Sequence, residues 1–393
     1  MRLPNFADRR RLQQRALIVG GVAGALCLVG AIVNSTQFYY AYLLAFLFWL
    51  GITLGSLALL MIQHLSGGAW GFVIRRQLEA ITRLLPLMAV LVLPIFLGMR
   101  VLYPWARPEV IATDAILQAK RTYLNVPFFV VRTGIYFAVW IALAWFLNRW
   151  SLEQDEQGEE PAGHRMRALS GGGLVLYVVT MTFASVDWIM SLEPHWFSTI
   201  FSVIIIGGQG LSALAVAIIL LAALANEKPL VDVAAPVRFH DLGNLLLAFV
   251  MLWAYFSFSQ FLIIWSGNLP EEIPWYVHRT QDSWQWISIA LVIFHFAVPF
   301  SLLLSRRIKR VSGTLVKVAA GVLVMRVVEL FWIIAPERSP AGFHVHWLDL
   351  VALIAVGGLW IASLIRQLDT CALLPRHGDE GAYAAHAQAV AEH

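Results

Sequence analysis

Ionisable side chains inside long apolar segments could carry chemistry in this sequence, because a charge within a bilayer is costly unless it is paired or used. The densest group is Asp187, followed by Glu193 and His195 at the end of one apolar segment. A carboxylate and an imidazole at a membrane surface can accept the protons that a quinol releases on oxidation. The same residues could instead form a hydrogen-bonded helix cap and turn, and the sequence leaves both interpretations open.

Arg326 and Glu329 form a second group, since a spacing of three residues places both on one face of a helix, where they can be a purely structural ion pair. Arg100 and Arg132 also lie within apolar segments, so three arginines stand against Asp187 and Glu329. This positive excess predicts a further partner. A network of this type is typical of proton relays and of pockets for quinone rings.

The residues available to hold a cofactor are few. His295 has no second histidine at matched depth, which a b-type haem would need, and Asp349 is a further candidate for a proton path. Cys27 and Cys371 are the only cysteines, and they form no CxxC motif. The sequence therefore predicts no metal site, iron-sulfur cluster or covalently attached haem in this chain.

The elements that position these residues follow from composition. The chain has 393 residues, of which 59% are hydrophobic and 13% charged, and this excludes a water-soluble enzyme. Its apolar stretches have the length of membrane-spanning helices and lack the alternation of β-barrel strands. We predict an all-α polytopic membrane protein with ten transmembrane helices, at roughly 16–33, 38–62, 81–102, 126–147, 172–192, 197–225, 243–265, 284–304, 314–335 and 347–368.

The positive charges predict the orientation. If the N-terminus is cytoplasmic, 20 of the 28 Lys and Arg residues fall on the cytoplasmic side and 5 on the outer side. Both termini are then cytoplasmic, and the buried charges favour the outer half of the bundle. The first span is too long for a typical signal peptide and is expected to remain.

Four segments strongly resemble a known family: DWIMSLEPHWFSTIF at 187–201, the NLPEEIPWY-containing stretch at 245–279, HFAVPFSLLLSRRIKR at 295–310, and the Asp-Leu pair at 349–350. They resemble the ActF-like second large membrane subunit of bacterial alternative complex III, within the NrfD and polysulfide-reductase-like membrane family. The similarity runs from about residue 38 to 370.

The resemblance implies an architecture of two four-helix bundles with two flanking helices. The corresponding ranges are a basic cytoplasmic tail at 1–15, a flanking helix at 16–37, the first bundle at 38–192, the second bundle at 197–335, a flanking helix at 347–368 and a disordered tail at 369–393.

The resemblance also implies a function and partners. The chain would be a cofactor-free subunit of a respiratory quinol:cytochrome c oxidoreductase in the bacterial inner membrane, where menaquinone or another quinol is oxidised. Haem c and iron-sulfur clusters would belong to partner subunits, beside a sister ten-helix subunit and, in some assemblies, a terminal oxidase. Membrane lipid is a further partner, and no nucleic acid is expected.

The residues that could form a quinol pocket or a proton half-channel are Asp187, Glu193, His195, Arg132, His295, Arg326, Glu329 and Asp349. Two other functions stay open. A secondary transporter would also have many spans with intramembrane charges, although it would be expected to show repeated broken helices. A structural anchor for peripheral redox subunits would use the same charges as structural pairs.

Overall fold

A computed structural model describes residues 6–157, 160–339 and 342–375 of the chain. Within these ranges the secondary structure is helical, without any β-strand. Residues 1–5 of the predicted basic tail and 376–393 of the predicted disordered tail lie outside the described residues.

Among the described residues, ten helices are long and apolar enough to cross a membrane, so the prediction of an all-α, ten-span protein is confirmed. In chain order they are α1 Phe6–Val33, α2 Ser35–Ser66, α3 Arg75–Leu97, α4 Val126–Gln157, α5 Glu160–Trp188, α6 Phe201–Leu224, α7 Pro236–Gly267, α8 Trp284–Leu304, α9 Ser312–Ile334 and α10 Trp347–Thr370.

Several helices extend beyond the predicted apolar segments. Helix α1 begins at Phe6, within the segment predicted as a tail, and α10 continues to Thr370. Arg9 contacts Glu227 and also lies 3.3 Å from Asp369, near the end of α10. Helix hydrogen bonding does not stop where hydrophobicity falls, and charged residues that find partners on neighbouring helices support the extra turns.

We call the end of the bundle at which α1 begins the N-terminal face, and the other end the distal face. The connectors 67–74, 225–235 and 305–311 lie at the N-terminal face. The long connectors 98–125 and 268–283 lie at the distal face. Short helices in the connectors are Ala69–Phe72, Met99–Leu102, Pro104–Ala106, Pro108–Thr113, Ala115–Lys120, Met190–Leu192, Leu230–Asp232, Ile273–Thr280, Arg306–Arg310 and Ala335–Glu337.

Two spanning helices are interrupted, and prolines account for both. Helix α3 consists of three segments, Arg75–Thr82, Leu85–Leu91 and Leu93–Leu97, and the last two begin with a residue that precedes a proline. Helix α8 contains a π-helical stretch at Leu291–Ala297. Pro299, just beyond it, has no N–H to bond the carbonyl four residues earlier, which belongs to His295.

Helices α2 and α6 pack against each other at the centre of the molecule. Helices α3 and α5 pack on α2, and α4 packs on both α3 and α5. Helices α7 and α9 pack on α6, and α8 packs on both α7 and α9. Helices α1 and α10 pair closely, because Gly20 of α1 meets Gly358 of α10 backbone to backbone. Helix α10 also packs on α2. The site residues on α5, α8 and α9 are thereby held on either side of the α2–α6 contact.

Gly55 makes the α2–α6 contact possible and provides a test of it. A Cβ atom at Gly55 would lie 2.0 Å from the backbone oxygen of Gln209 on α6. We expect Gly55→Ala to lower the free energy of unfolding by about 1–3 kcal/mol through overpacking, measured by thermal unfolding in mild detergent. Gly21→Ala is the matched control, since a Cβ there meets nothing within 4 Å. Equal stability of the two variants would contradict the assigned packing.

Candidate functional site

Asp187 lies near the distal end of α5 and is completely buried. Arg132 of α4 binds it through both carboxylate oxygens, with Nε 2.8 Å from Oδ2 and Nη2 2.8 Å from Oδ1. The hydroxyl of Tyr136 also donates to Oδ2 at 2.7 Å. This bidentate pair with an added donor leaves the carboxylate fully bonded as an anion.

The guanidinium of Arg132 is equally satisfied. Its Nη1 donates to the carbonyl of Tyr123 at 2.9 Å, and its Cζ lies 3.9 Å and 4.2 Å from the ring centroids of Tyr123 and Phe128. Stacking on aromatic faces stabilises a cation that is removed from water. Arg132 and Asp187 therefore form a closed pair that ties α4 to α5.

Asp187, Glu193 and His195, which the sequence groups at one helix end, each contact a different partner. Helix α5 ends at Trp188 and a 3₁₀ turn at Met190–Leu192 redirects the chain, so the three side chains diverge. The exposed His195 lies 2.6 Å from Asp114 in the 98–125 connector, well away from Arg132.

Asp114 also caps a short helix. Its Oδ1 accepts from the N–H groups of Ile116 and Leu117 at 2.9 and 3.1 Å. The bond from Leu117, with help from His195, lowers the pKa of Asp114 from its usual value. Asp114 is thus a helix cap, a residue outside the predicted group, and His195 contacts it without capping a helix itself.

Glu193 belongs to a second cluster at the distal face, built around the buried Arg279. Arg279 Nη2 donates to Glu337 Oε1 at 2.8 Å, while Glu193 Oε2 lies 3.7 Å from Arg279 Nη1 and has no hydrogen-bond partner in the protein. His278 Nδ1 lies 4.0 Å from the other oxygen of Glu193. Two carboxylates thus share one guanidinium.

This sharing leaves Glu193 able to bind a proton. Burial, with the negative charge of Glu337 in addition, raises the pKa of Glu193 to about 8, although Arg279 opposes the shift. Burial also lowers the pKa of Arg279 from its usual value. Glu193 is therefore a carboxyl at the distal surface whose protonation changes near neutral pH.

An aromatic wall holds this cluster in place. Trp196 and Trp275 stack with ring centroids 4.7 Å apart, and Arg279 Cζ lies 4.0 Å from the Trp275 centroid. Trp332 on α9 donates to the carbonyl of Arg279 at 3.2 Å. The stacked rings exclude water from the inner side of Arg279 and fix its orientation.

A third cluster lies deeper, between α7, α8 and α9. Arg326 and Glu329 contact each other on α9, as their spacing predicts. Trp253 Nε1 donates to Glu329 Oε1 at 2.8 Å, and His295 Nε2 lies 3.4 Å from Glu329 Oε2. His295 is fully buried in the π-helical stretch, and neither of its ring nitrogens has a hydrogen-bond partner within the part of the chain that the structure describes.

Glycine accommodates the guanidinium of this cluster. A Cβ at Gly208 on α6 would lie 2.2 Å from Arg326 Cζ, so the arginine occupies the space that a larger residue would fill. The prediction that three intramembrane arginines leave unpaired positive charge is wrong. Arg132 and Arg326 each have their own carboxylate, and Arg100 lies at an exposed position.

A series of polar groups, which we call the polar route, lies between the deep cluster and the distal cluster. Glu329 and Glu337 are eight residues apart, or about 12 Å along the helix direction. Between them, Arg279 Nη2 donates to the carbonyl of Ile333 at 2.8 Å, and Trp332 Nε1 donates to Ser288 Oγ at 2.8 Å. Polar groups thus continue from the buried His295 region to Glu193.

Asp349 has a structural position at the start of α10. Its Oδ2 accepts from the N–H of His346 at 2.9 Å in a capping box, and its Oδ1 accepts from Gln37 Nε2 at 2.8 Å. Arg338 Nη1 lies 3.7 Å from it. Asp349 therefore caps α10 and links it to α2. Its contacts are with Gln37, His346 and Arg338, none of which is a candidate residue.

A buried cluster at the N-terminal face contains no residue that the sequence analysis identified as a candidate. Glu79 is fully buried and lies 3.0 Å from Arg75 Nε and 2.6 Å from Arg76 Nη1. Ser151 Oγ donates to it at 2.6 Å. Buried charges therefore occur at both faces, and the Arg-Arg-x-x-Glu spacing is the sequence signal for this cluster.

No protein-family model matches the chain, and no curated protein matches it in sequence. The resemblance to the alternative complex III subunit therefore rests on the four sequence segments and stays a prediction. Among residues 6–157, 160–339 and 342–375, there is no group of three or more His, Cys, Asp or Glu side chains that could hold a metal ion.

Because Arg132 and Asp187 form a closed pair, we expect Asp187→Asn to lower the stability of the protein strongly. The substitution would leave the buried Arg132 without its counter-charge, so we expect the free energy of unfolding to fall by about 3–5 kcal/mol, measured by thermal unfolding in detergent. Asp114→Asn at the distal surface is the control, since solvent screens its pair with the exposed His195 and asparagine can still accept the capping hydrogen bonds. Comparable stability of the two variants would contradict the structural assignment of Asp187.

The raised pKa of Glu193 predicts a pH dependence of stability. The folded protein binds this proton up to about pH 8, whereas a glutamate with the ordinary pKa of 4.5 has lost it, so the free energy of unfolding should fall as pH rises between these values. Glu193→Gln should flatten this part of the profile, as measured from melting temperatures. Glu271→Gln, which is exposed in the 268–283 connector at the same face, should keep the wild-type slope.

Proposed function

We propose that this chain is a cofactor-free membrane subunit of a respiratory quinol:cytochrome c oxidoreductase, and that its second bundle contains a proton half-channel. The proposal takes the N-terminal face as cytoplasmic, because 20 of the 28 basic residues then lie on that side in the bacterial inner membrane. The observation that carries the half-channel is the polar route from His295 and Glu329 to Glu193.

His295, Glu329 and Glu193 are the groups on this route that suit proton transfer. Among the described residues, neither ring nitrogen of His295 has a hydrogen-bond partner, and Nε2 lies 3.4 Å from Glu329 Oε2. Glu193 has a pKa of about 8 and a carboxylate oxygen free of hydrogen bonds, so it can take up or release a proton at the distal surface. The π-helical stretch in α8 supports the assignment, because such stretches are frequent at functional sites.

The Arg132 and Asp187 pair supports a different role. A carboxylate with three donors does not readily accept protons from a quinol, so a quinol pocket at Asp187 and His195 is disfavoured by their contacts. Quinol oxidation is then better assigned to a sister ten-helix subunit, next to iron-sulfur and haem-c subunits. This chain would contribute assembly and a proton path.

A secondary transporter is less well supported. Transporters of this size have broken helices at corresponding positions of two structural repeats. Here the interrupted helices are α3, the second of its four-helix group, and α8, the third of its group. Their positions do not correspond, so the interruptions do not indicate a repeated substrate site.

Purification of the complex tests the first part of the proposal. Extraction with a mild detergent through an affinity tag on this chain should bring down a protein with c-type haem, an iron-sulfur protein and a second ten-helix protein. Absorption spectra and mass spectrometry identify them. Recovery of the chain alone, with substrate uptake in liposomes, would instead favour the transporter.

Proton movement tests the second part. Glu329→Gln and Glu193→Gln should each lower quinol-driven proton release by about tenfold or more, within the usual range for a positioned acid or base. Haem and iron-sulfur content should stay the same. Glu271→Gln is the control, because Glu271 is exposed at the same face. Unchanged turnover and proton release in both variants would contradict the half-channel and favour a structural anchor for peripheral redox subunits.

A further inference from the structure

A groove at the N-terminal face is lined by polar residues at one end and by apolar residues at the other, which matches the headgroup and acyl chains of a phospholipid. It has a volume of 620 Å³ and is lined by α7 together with the 67–74 connector. Its lining residues are Ala69, Trp70, Arg238, Asp241, Asn244, Leu245 and Ala248.

The lining changes from polar to apolar along α7. Arg238, Asp241 and Asn244 lie in the first turns of α7. Leu245 and Ala248 lie about one and two turns beyond Asp241. From Arg238 to Ala248 is ten residues, about 15 Å along the helix. The groove therefore runs from the level of lipid headgroups into the level of acyl chains.

Arg238 provides the feature that points to an anion. Its side chain is only 7% exposed, yet Nη1 has no hydrogen-bond partner and lies 3.8 Å from the nearest oxygen of Asp241. A buried guanidinium nitrogen without an acceptor is costly, and a phosphate oxygen would satisfy it. Nothing else in the groove supplies a closer carboxylate oxygen to this atom.

The surroundings of Arg238 are positive in balance. Lys309 is buried against the same part of α7, where it packs on Gly243 and donates to Asn244 Oδ1 at 2.7 Å. The segment Arg306–Arg310 adds further positive charges, against the single carboxylate of Asp241. Helix α7 also begins here without a side-chain cap, so the positive end of its dipole is open to an anion.

We propose that this groove binds one anionic phospholipid, with its phosphate on Arg238 and the start of an acyl chain against Leu245 and Ala248. A zwitterionic lipid would have the same phosphate but would also place a cation beside Arg238 and Lys309. Basic pockets between membrane helices are known to select anionic headgroups in this way. The site lies away from the proposed proton route in α8 and α9, at the opposite face.

Native mass spectrometry of the detergent-purified protein, in the complex in which it is isolated, tests the proposal. After delipidation, phosphatidylglycerol and phosphatidylcholine are added separately. We expect one phosphatidylglycerol to be retained at least about tenfold more tightly than phosphatidylcholine, and Arg238→Gln to remove this preference. Lys317→Gln, which removes an exposed positive charge on α9 near the same face, should leave it unchanged.

A second variant tests the groove while Arg238 and its contribution to folding stay unchanged. Ala248 is exposed in the apolar part of the groove, so Ala248→Phe should weaken phosphatidylglycerol retention without altering any charge. Millimolar inorganic phosphate should not displace the lipid. Equal retention of the two lipids, full retention in Arg238→Gln or Ala248→Phe, or displacement by phosphate alone would overturn the phospholipid assignment.

Discussion

The structure depends on one constraint: a charge buried among apolar helices must have a partner of opposite charge or a full set of hydrogen bonds. Glu79, Asp187 and Glu329 are each nearly or completely buried, and each contacts an arginine. These contacts join α3 to α4, α4 to α5, and α7 to α8 and α9, through the hydrogen-bonding neighbours of each pair. Pairing of charges thus determines much of the arrangement of helices.

The pairs differ in how completely they are satisfied, and this difference separates structure from candidate function. The carboxylate of Asp187 accepts three hydrogen bonds from Arg132 and Tyr136, which hold it as a structural anion. Glu193 shares Arg279 with Glu337, and one of its oxygens has no hydrogen-bond partner among the described residues. Burial and the negative charge of Glu337 raise the pKa of Glu193, so its proton is exchangeable.

Small residues and helix interruptions make room for the charged groups. Gly55 brings α2 against α6, and Gly208 leaves the space that the guanidinium of Arg326 fills. The π-helical stretch of α8 directs His295 toward Glu329, next to the ring of Trp253. Backbone geometry and charge pairing therefore cooperate in the second four-helix group.

The sequence by itself determined the fold class and the number of spans, because hydrophobic length is a property of local segments. It also predicted the Arg326 and Glu329 contact, since both lie on one helix at a spacing of three. The partners of Asp187, Glu193 and His195 were decided only by the tertiary structure. Each partner comes from a segment distant in sequence, and the turn after Trp188 separates residues that are neighbours along the chain.

The Glu79 cluster was missed for a related reason. Arg75 and Arg76 stand next to an apolar segment, where the charge pattern alone predicts a solvated loop, yet packing against α4 buries them with Glu79. Charge and hydropathy along a chain report which residues resist burial. Whether such a residue is exposed, paired or left with a free oxygen depends on which helices meet around it, and that is a property of the tertiary structure.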